Sequence, residues 1–323
     1  MTLATTLVIL STSFAISIIG GFLLIPVLRK MKFGQSIREE GPEAHQKKAG
    51  TPTMGGVIFI VSIILTTLVL SYYFELLTTQ TVVLLIVLVG FGLIGFLDDF
   101  IKVVLKRNLG LTSIQKLIGQ IVISIIAYFL LRLGPFQTTL TLPFTDVSFD
   151  LGILYIAFLI FWLVGFSNAV NLSDGLDGLV GGTSSISFAA FGVLALIYGQ
   201  NDLAVFAFAV TGALLGFLLF NINPAKVFMG DTGSLALGGV LAMLSVLMKQ
   251  EFTLLLIGVI FVIETLSVIL QVISFKTTGK RIFKMSPIHH HFELVGWSEW
   301  RIVLTFWGIA LLAALSAVLW EVF

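Results

Sequence analysis

The sequence contains no cysteine. That excludes disulfides, Cys-ligated zinc and a thiolate nucleophile, and it leaves the redox compartment undefined. Charge is also scarce. Lys, Arg, Asp and Glu make up 11% of the 323 residues, where a soluble domain carries about 25%. The formal net charge is +1, and no basic patch interleaved with aromatics is present, so no nucleic-acid partner is expected. Neither a P-loop nor a dinucleotide fingerprint occurs. The first apolar run lacks a basic leader and a small-residue cleavage site, so it reads as a spanning helix rather than a removed signal peptide. No tandem repeat is evident.

Apolar residues fill the space. They make up 58% of the chain, with 29 Phe and a mean hydropathy of +1.09. In hydrocarbon every backbone polar group must be satisfied internally, which leaves helices or closed barrels. Barrel strands alternate over about ten residues. The runs here are near-continuous and about twenty residues long, the length of a spanning helix. Ten spans are expected, at 5–28, 55–75, 80–98, 114–133, 151–170, 182–199, 202–222, 233–249, 252–275 and 301–321. The fold class is an all-α polytopic membrane protein, a single integral-membrane domain over 1–323. Segment 134–150 alternates enough to suggest a small hairpin.

The connections alternate in character. The odd-numbered ones, 29–54, 99–113, 171–181, 223–232 and 276–300, are long and charged. Of the 18 Lys and Arg, all but Arg132 and Lys249 lie on that side. The positive-inside rule places these connections in the cytoplasm and both termini outside. A multi-pass membrane location with a cleft at the cytoplasmic face follows as an expectation.

The same side collects nearly every unusual polar string. "FLDDFIKVVLKRNLGLTSIQK" carries Asp98, Asp99, Lys102 and Lys116. "NAVNLSDGLDGL" carries Asn168, Asn171, Asp174 and Asp177. "NINPAKVFMGDTGS" carries Asn223, Phe228 and Asp231, and "SPIHHHFELVGW" carries His289, His290 and His291. Asn, Asp and Ser are also good helix caps, and lysines at a membrane rim need no further reason. Capping explains single residues better than it explains the set. Adjacent carboxylates such as Asp98 and Asp99, at the end of a predicted span, repel and desolvate badly unless a cation or lysines pair with them. Asp174 and Asp177, three apart, share a face if the helix continues through them. The glycines between them fit a turn equally well.

Hard oxygen donors suit Mg2+, which often takes one or two carboxylates together with phosphate oxygens. Three consecutive histidines point in different directions unless the backbone is unusual, and without Cys or an HExxH string the zinc reading is weak. Carboxylates with Mg2+ serve phosphoryl transfer by positioning and charge neutralisation. A cytoplasmic-side site within a helix bundle suits one water-soluble and one lipid phosphate.

Four strings, "FLDDFIK", "NAVNLSDGLDGL", "NPAKVFMGDTGSLALG" and "PIHHHFELVGW", together with "KKAGTPTMGG" at 47–56, closely resemble the bacterial phospho-N-acetylmuramoyl-pentapeptide transferase family. That family belongs to the polyprenyl-phosphate N-acetylhexosamine-1-phosphate transferase superfamily. The resemblance covers essentially the whole chain. It implies Mg2+-dependent transfer of phospho-N-acetylmuramoyl-pentapeptide from its UDP carrier to undecaprenyl phosphate, giving lipid I and UMP, the first membrane step of peptidoglycan synthesis. It also implies a homodimer among membrane lipids.

By the same resemblance Asp231 is the leading Mg2+ ligand. Asp98 is a base on the lipid phosphate, and its neighbour Asp99 orients metal or substrate. Direct attack and a two-step route through a carboxylate nucleophile are both compatible with these residues. Asp177 is assigned to uridine, and Asn171 and Asp174 to the diphosphate region. Asn168 and Asn223 join the substrate set, with Phe228 placed to stack on uracil or to pack a loop. Lys102 and Lys116 neutralise phosphate. His289, His290 and His291 contact substrate phosphate or organise their loop, with His289 the candidate for chemistry. Gln271, a lone amide in a span, faces the cleft or bonds another helix, and Glu264 in the same span receives no role. A sister hexosamine-1-phosphate transferase is the nearest alternative, and a secondary transporter the more distant one.

Overall fold

The computed structural model describes residues 1–31, 50–104, 110–142, 145 and 147–322. Lys47, Lys48, Lys106 and Arg107 of the strings above lie outside the described residues. Among the described residues ten helices are long and apolar enough to cross a membrane. They are α1 (Leu3–Lys30), α2 (Gly56–Tyr73), α3 (Thr79–Val104), α4 (Ser113–Leu131), α5 (Tyr155–Ser173), α6 (Leu179–Ile197), α7 (Asn201–Asn221), α8 (Gly230–Leu247), α10 (Val259–Thr278) and α12 (Glu299–Val322). Two short helices join them, α9 (Thr253–Ile257) and α11 (Ile288–Val295). Starts are set by local chemistry. Thr2 and Thr112 each close a capping box with Thr5 and Gln115, which satisfies orphan backbone donors of the first turn.

The bundle is layered. In α7 and α8, 89% of the apolar window is buried within the protein, against 28% in α1, α4 and α10. The first pair therefore forms the centre, and the others present leucines and isoleucines to lipid. α3 and α5 pack on α8, α1 and α6 on α7, and α12 on α6. α3 approaches α8 so closely at Gly95 that a Cβ there would stand 2.0 Å from the carbonyl oxygen of Asp231. Small residues allow this contact between spanning helices, and here it brings an acid-bearing segment of α3 against the start of α8.

The expected hairpin is present. β1 (Thr139–Thr141) pairs antiparallel with β2 (Ser148–Asp150), Leu140 opposite Phe149. Two expectations need correction. The span expected at 252–275 is two helices, broken at Gly258, whose ψ of 24° leaves the helical range. Helix α3 continues to Val104, so its span runs past the expected 98 and Asp98 and Asp99 sit within the helix. Helix α5 ends at Ser173 with Asp174 at its C-cap, so of the two arrangements left open the glycine turn holds, and Asp174 and Asp177 do not share a helix face.

The ends of the bundle are distinct. The Met1 amino group donates to Asn201 Oδ1 (3.0 Å), and the Tyr198 hydroxyl donates to Glu321. Both termini thus share the end that holds the α6–α7 connection. The acids of α3 and α8 lie at the opposite end.

Candidate active site

Consecutive residues on a helix point about 100° apart, and Asp98 and Asp99 use this to face different neighbours. Asp98 turns toward α4. Its Oδ1 accepts the Leu111 N–H (2.7 Å), and its Oδ2 lies 2.5 Å from Lys102 Nζ and 3.0 Å from Lys116 Nζ. Asp99 turns toward α8. Its Oδ2 accepts from Thr232 N–H (3.0 Å) and the Thr232 hydroxyl (2.7 Å), and its Oδ1 accepts the Asp231 N–H at 3.3 Å. Asp99 therefore caps the first turn of α8 from another helix, where the helix dipole favours a carboxylate.

Asp231 stands in that capped turn. Its Oδ2 receives Lys116 Nζ at 2.6 Å and Lys102 Nζ at 3.3 Å, and its Oδ1 receives Asn171 Nδ2 at 3.0 Å. Asn171 also donates to Ser234 Oγ (2.8 Å). Asp98 is fully buried and Asp99 nearly so, while the Asp231 side chain is 18% exposed. Asp231 is thus the one of the three open to the cleft.

Ligand oxygens of Asp98, Asp99 and Asp231 lie within 4.8 Å of one another. Among the described residues three carboxylates face two lysines, an excess of acidic oxygens in a largely buried site. An all-oxygen donor set with that excess fits a hard divalent cation. Asp231, the most exposed of the three, is best placed to hold it, whereas Asp98 Oδ1 and both oxygens of Asp99 accept backbone N–H groups. Beside the cluster the surface is apolar: Leu93 and Leu97 on α3 and Leu117 on α4 are 55%, 45% and 43% exposed. A lipid headgroup can therefore reach the lysines from the side.

The turn after α5 makes a second cluster. Asp177 Oδ2 accepts from Asn223 Nδ2 (3.2 Å) and Ala225 N–H (2.9 Å). Glu299, at the start of α12, accepts from Asp177 N–H and Asn223 Nδ2, both at 2.7 Å. Asp174 lies in the same turn, partly exposed. Phe228 is partly exposed on a strap in which its N–H donates to Pro52 O (2.8 Å) and its carbonyl accepts Gly55 N–H (2.8 Å). This strap joins the "TPTMGG" string to the start of α8.

The three histidines sit on α11, and the expected divergence fails for the first two: the rings of His289 and His290 lie against each other with centroids 4.1 Å apart. His289 is buried, with Nδ1 3.0 Å from Glu264 Oε1 on α10. Its ring lies against Gly175, where an added Cβ would come within 2.2 Å of Nε2. His289 thus braces the 174–178 turn from behind. His290 Nδ1 lies 2.7 Å from Glu293, and His291 Nδ1 accepts the Lys284 N–H. Gln271 is taken up by the loop that follows its helix. It accepts from Ile282 and Phe283 N–H and donates to Phe283 O. The Asn168 amide donates to Gln120 Oε1 (3.2 Å) and Val164 O (2.8 Å), between α4 and α5. The structure therefore gathers Asp98, Asp99, Lys102, Lys116, Asn171 and Asp231 tightly. It places Asp177 and Asn223 in a neighbouring corner, and it gives His289, Gln271 and Asn168 bonds within the protein.

Glu299, Glu264 and Gln120 were not foreseen as members of the site. Glu299 reads in sequence as an ordinary first-turn acid, and only its separation from Asp177, across the whole second half of the chain, reveals its partner.

A ten-helix membrane bundle with acids and lysines converging at one end defines a membrane-embedded transferase, and the model of glycosyl transferase family 4 matches residues 81–249. A phospho-N-acetylmuramoyl-pentapeptide-transferase signature matches residues 48–60. The chain is 61% identical over 310 residues to the transferase of that name from Geobacillus sp., covering 96% of each chain. It is 61% identical over 309 residues to that of Bacillus subtilis (96% of this chain, 95% of the relative) and 60% identical over 309 residues to that of Listeria monocytogenes (95% of each). The chain belongs to the phospho-N-acetylmuramoyl-pentapeptide-transferase family, so the transporter alternative falls.

Proposed function

We propose that this enzyme transfers phospho-N-acetylmuramoyl-pentapeptide from UDP to undecaprenyl phosphate, releasing UMP and forming lipid I. An oxygen of the lipid phosphate attacks the phosphorus bonded to the sugar. The bond to the bridging oxygen breaks, and its electron pair leaves with UMP. The convergence of Asp98 and Asp231 with Lys102 and Lys116 beside an apolar wall carries this reading.

Each residue has a task that follows from its surroundings. Lys102 and Lys116 each bridge carboxylates from two helices, so an incoming phosphate exchanges one anion for another and leaves both ammonium groups paired. Asp98, buried between these lysines, is placed to take a proton from the attacking phosphate. Asp231 would hold Mg2+, which would neutralise charge developing on the diphosphate. Asn171 fixes the Asp231 rotamer through Oδ1. Asp177, Asn223 and Phe228 form the nucleoside end of the cleft, and Asp174 lies between the two clusters. The acid-bearing end faces the cytoplasm, because in sequence all but two of the Lys and Arg fall on the side of the odd-numbered connections.

Purified protein in detergent, given the UDP-linked muramoyl pentapeptide, undecaprenyl phosphate and Mg2+, should produce UMP and lipid I in equal amounts. Neither should form without Mg2+. Turnover of UDP-N-acetylglucosamine in preference to the muramoyl substrate would move the enzyme to the hexosamine branch. No product from a folded sample would end the proposal.

A further inference from the structure

Glu299 has no part in the reaction as described, yet both of its carboxylate oxygens are directed at the nucleoside corner. Oε1 accepts the Asp177 N–H and Oε2 accepts Asn223 Nδ2, each at 2.7 Å. The same Nδ2 donates to Asp177 Oδ2 at 3.2 Å. Ionised carboxylates only accept hydrogen bonds. The end of the Asn223 amide that faces two of them must therefore be its NH2, and both hydrogens are engaged. A ligand recognised through Asn223 then has to give a hydrogen to Oδ1. Without this pair of acceptors the amide would turn either end to a ligand.

We propose that Glu299 is a positioning residue that fixes Asn223 as an acceptor for the imide N–H of a uracil base, and that this contact selects uracil over cytosine nucleotides. Uracil carries a hydrogen on N3. Cytosine presents a lone pair there, which would oppose the Asn223 oxygen. Asn223 is partly buried, and once a base covers it an acceptor left facing an acceptor loses its hydrogen bond and is cut off from water, which is the strong form of discrimination. Asp177 Oδ2 engages one of the two N–H groups at 3.2 Å and is shared with Ala225 N–H, so the shorter bond to Glu299 at 2.7 Å holds the amide more firmly in this orientation. The inference rests on the uridine nucleotide reading given above and extends it to a residue from the last helix.

The test uses the full-length enzyme in detergent. In the wild type UMP should inhibit far better than CMP, by about a hundredfold, and equal inhibition overturns the proposal without any variant. In Glu299→Gln the KM for the uridine substrate should rise about tenfold with kcat unchanged, and the UMP-to-CMP ratio should shrink by about the same factor. Glu299→Asp keeps two acceptors and should retain most of the ratio. A Gln variant with wild-type KM and ratio overturns the proposal, as does one in which UMP and CMP weaken equally, the mark of a merely structural link. Absence of wild-type turnover would instead overturn the reaction itself.

Discussion

Both ends of this bundle bury acids beside lysines, and only one of them is built for chemistry. At the end holding the termini, Glu251 is 1% exposed and accepts the Tyr155 hydroxyl at 2.6 Å. Lys249 donates to the Gln137 carbonyl (2.5 Å) and lies 4.2 Å from the centre of the Phe136 ring, which clamps the hairpin strand onto the bundle. Burial pushes the Glu251 carboxyl up and the Lys249 ammonium down. Glu251 and Lys249 are met by neutral dipoles and rings, and among the described residues no carboxylate cluster forms at this end. At the other end two lysines each bridge carboxylates from separate helices, and the acids outnumber the lysines. Buried charge alone therefore does not mark a site. Convergence of like charges on an open edge does.

The largest expected effect is at the acid end. Asp98→Asn should lower kcat by about 10²–10⁴-fold, and Asp231→Asn by at least as much, with melting temperatures near wild type. A collapse in stability matching the loss of turnover would assign these acids to the fold. At the other end the pattern should invert. Lys249→Met should cost about 1–2 kcal/mol of stability, from a charge-assisted hydrogen bond and a ring contact, while turnover is retained. Loss of turnover in a stable Lys249→Met protein would break the division between the ends.

The smallest effect is a pH dependence. An acid whose folded value is raised holds its proton more tightly in the folded state. Its stabilising contribution is complete below the unfolded value and is lost as pH rises through the folded one. The wild-type melting temperature should decline across that window, above the ordinary carboxylate range. Glu251→Gln should lack the decline, and parallel curves for the two proteins would remove Glu251 from the account.

Much of this division was legible in the sequence. Ten apolar runs are long enough to span, so helix number and the side of each polar string followed from length and charge. The hairpin followed from alternation. The union of Asp98 and Asp231 was expected because two strings rich in acids had to share one membrane face. What the sequence hid were pairings between single residues far apart. Glu264 looked like a misplaced charge until His289 met it from α11, and Gln271 until a backbone turn closed over it. Helix α11 was hidden because an eight-residue helix between loops carries too little periodicity to read. The break at Gly258 was hidden because a glycine within an apolar run also fits an unbroken helix.

The cap that Asp99 places on α8 has a consequence for genetics. A survey of single substitutions scored by growth would rank Asp99 with Asp231, since removing the cap displaces the turn that carries Asp231. The two losses would overlap rather than multiply, so the Asp99–Asp231 double variant should be little worse than either single one. An allele series at this locus would thus record a single lesion reached by two routes, one through the reacting oxygens and one through the scaffold that holds them.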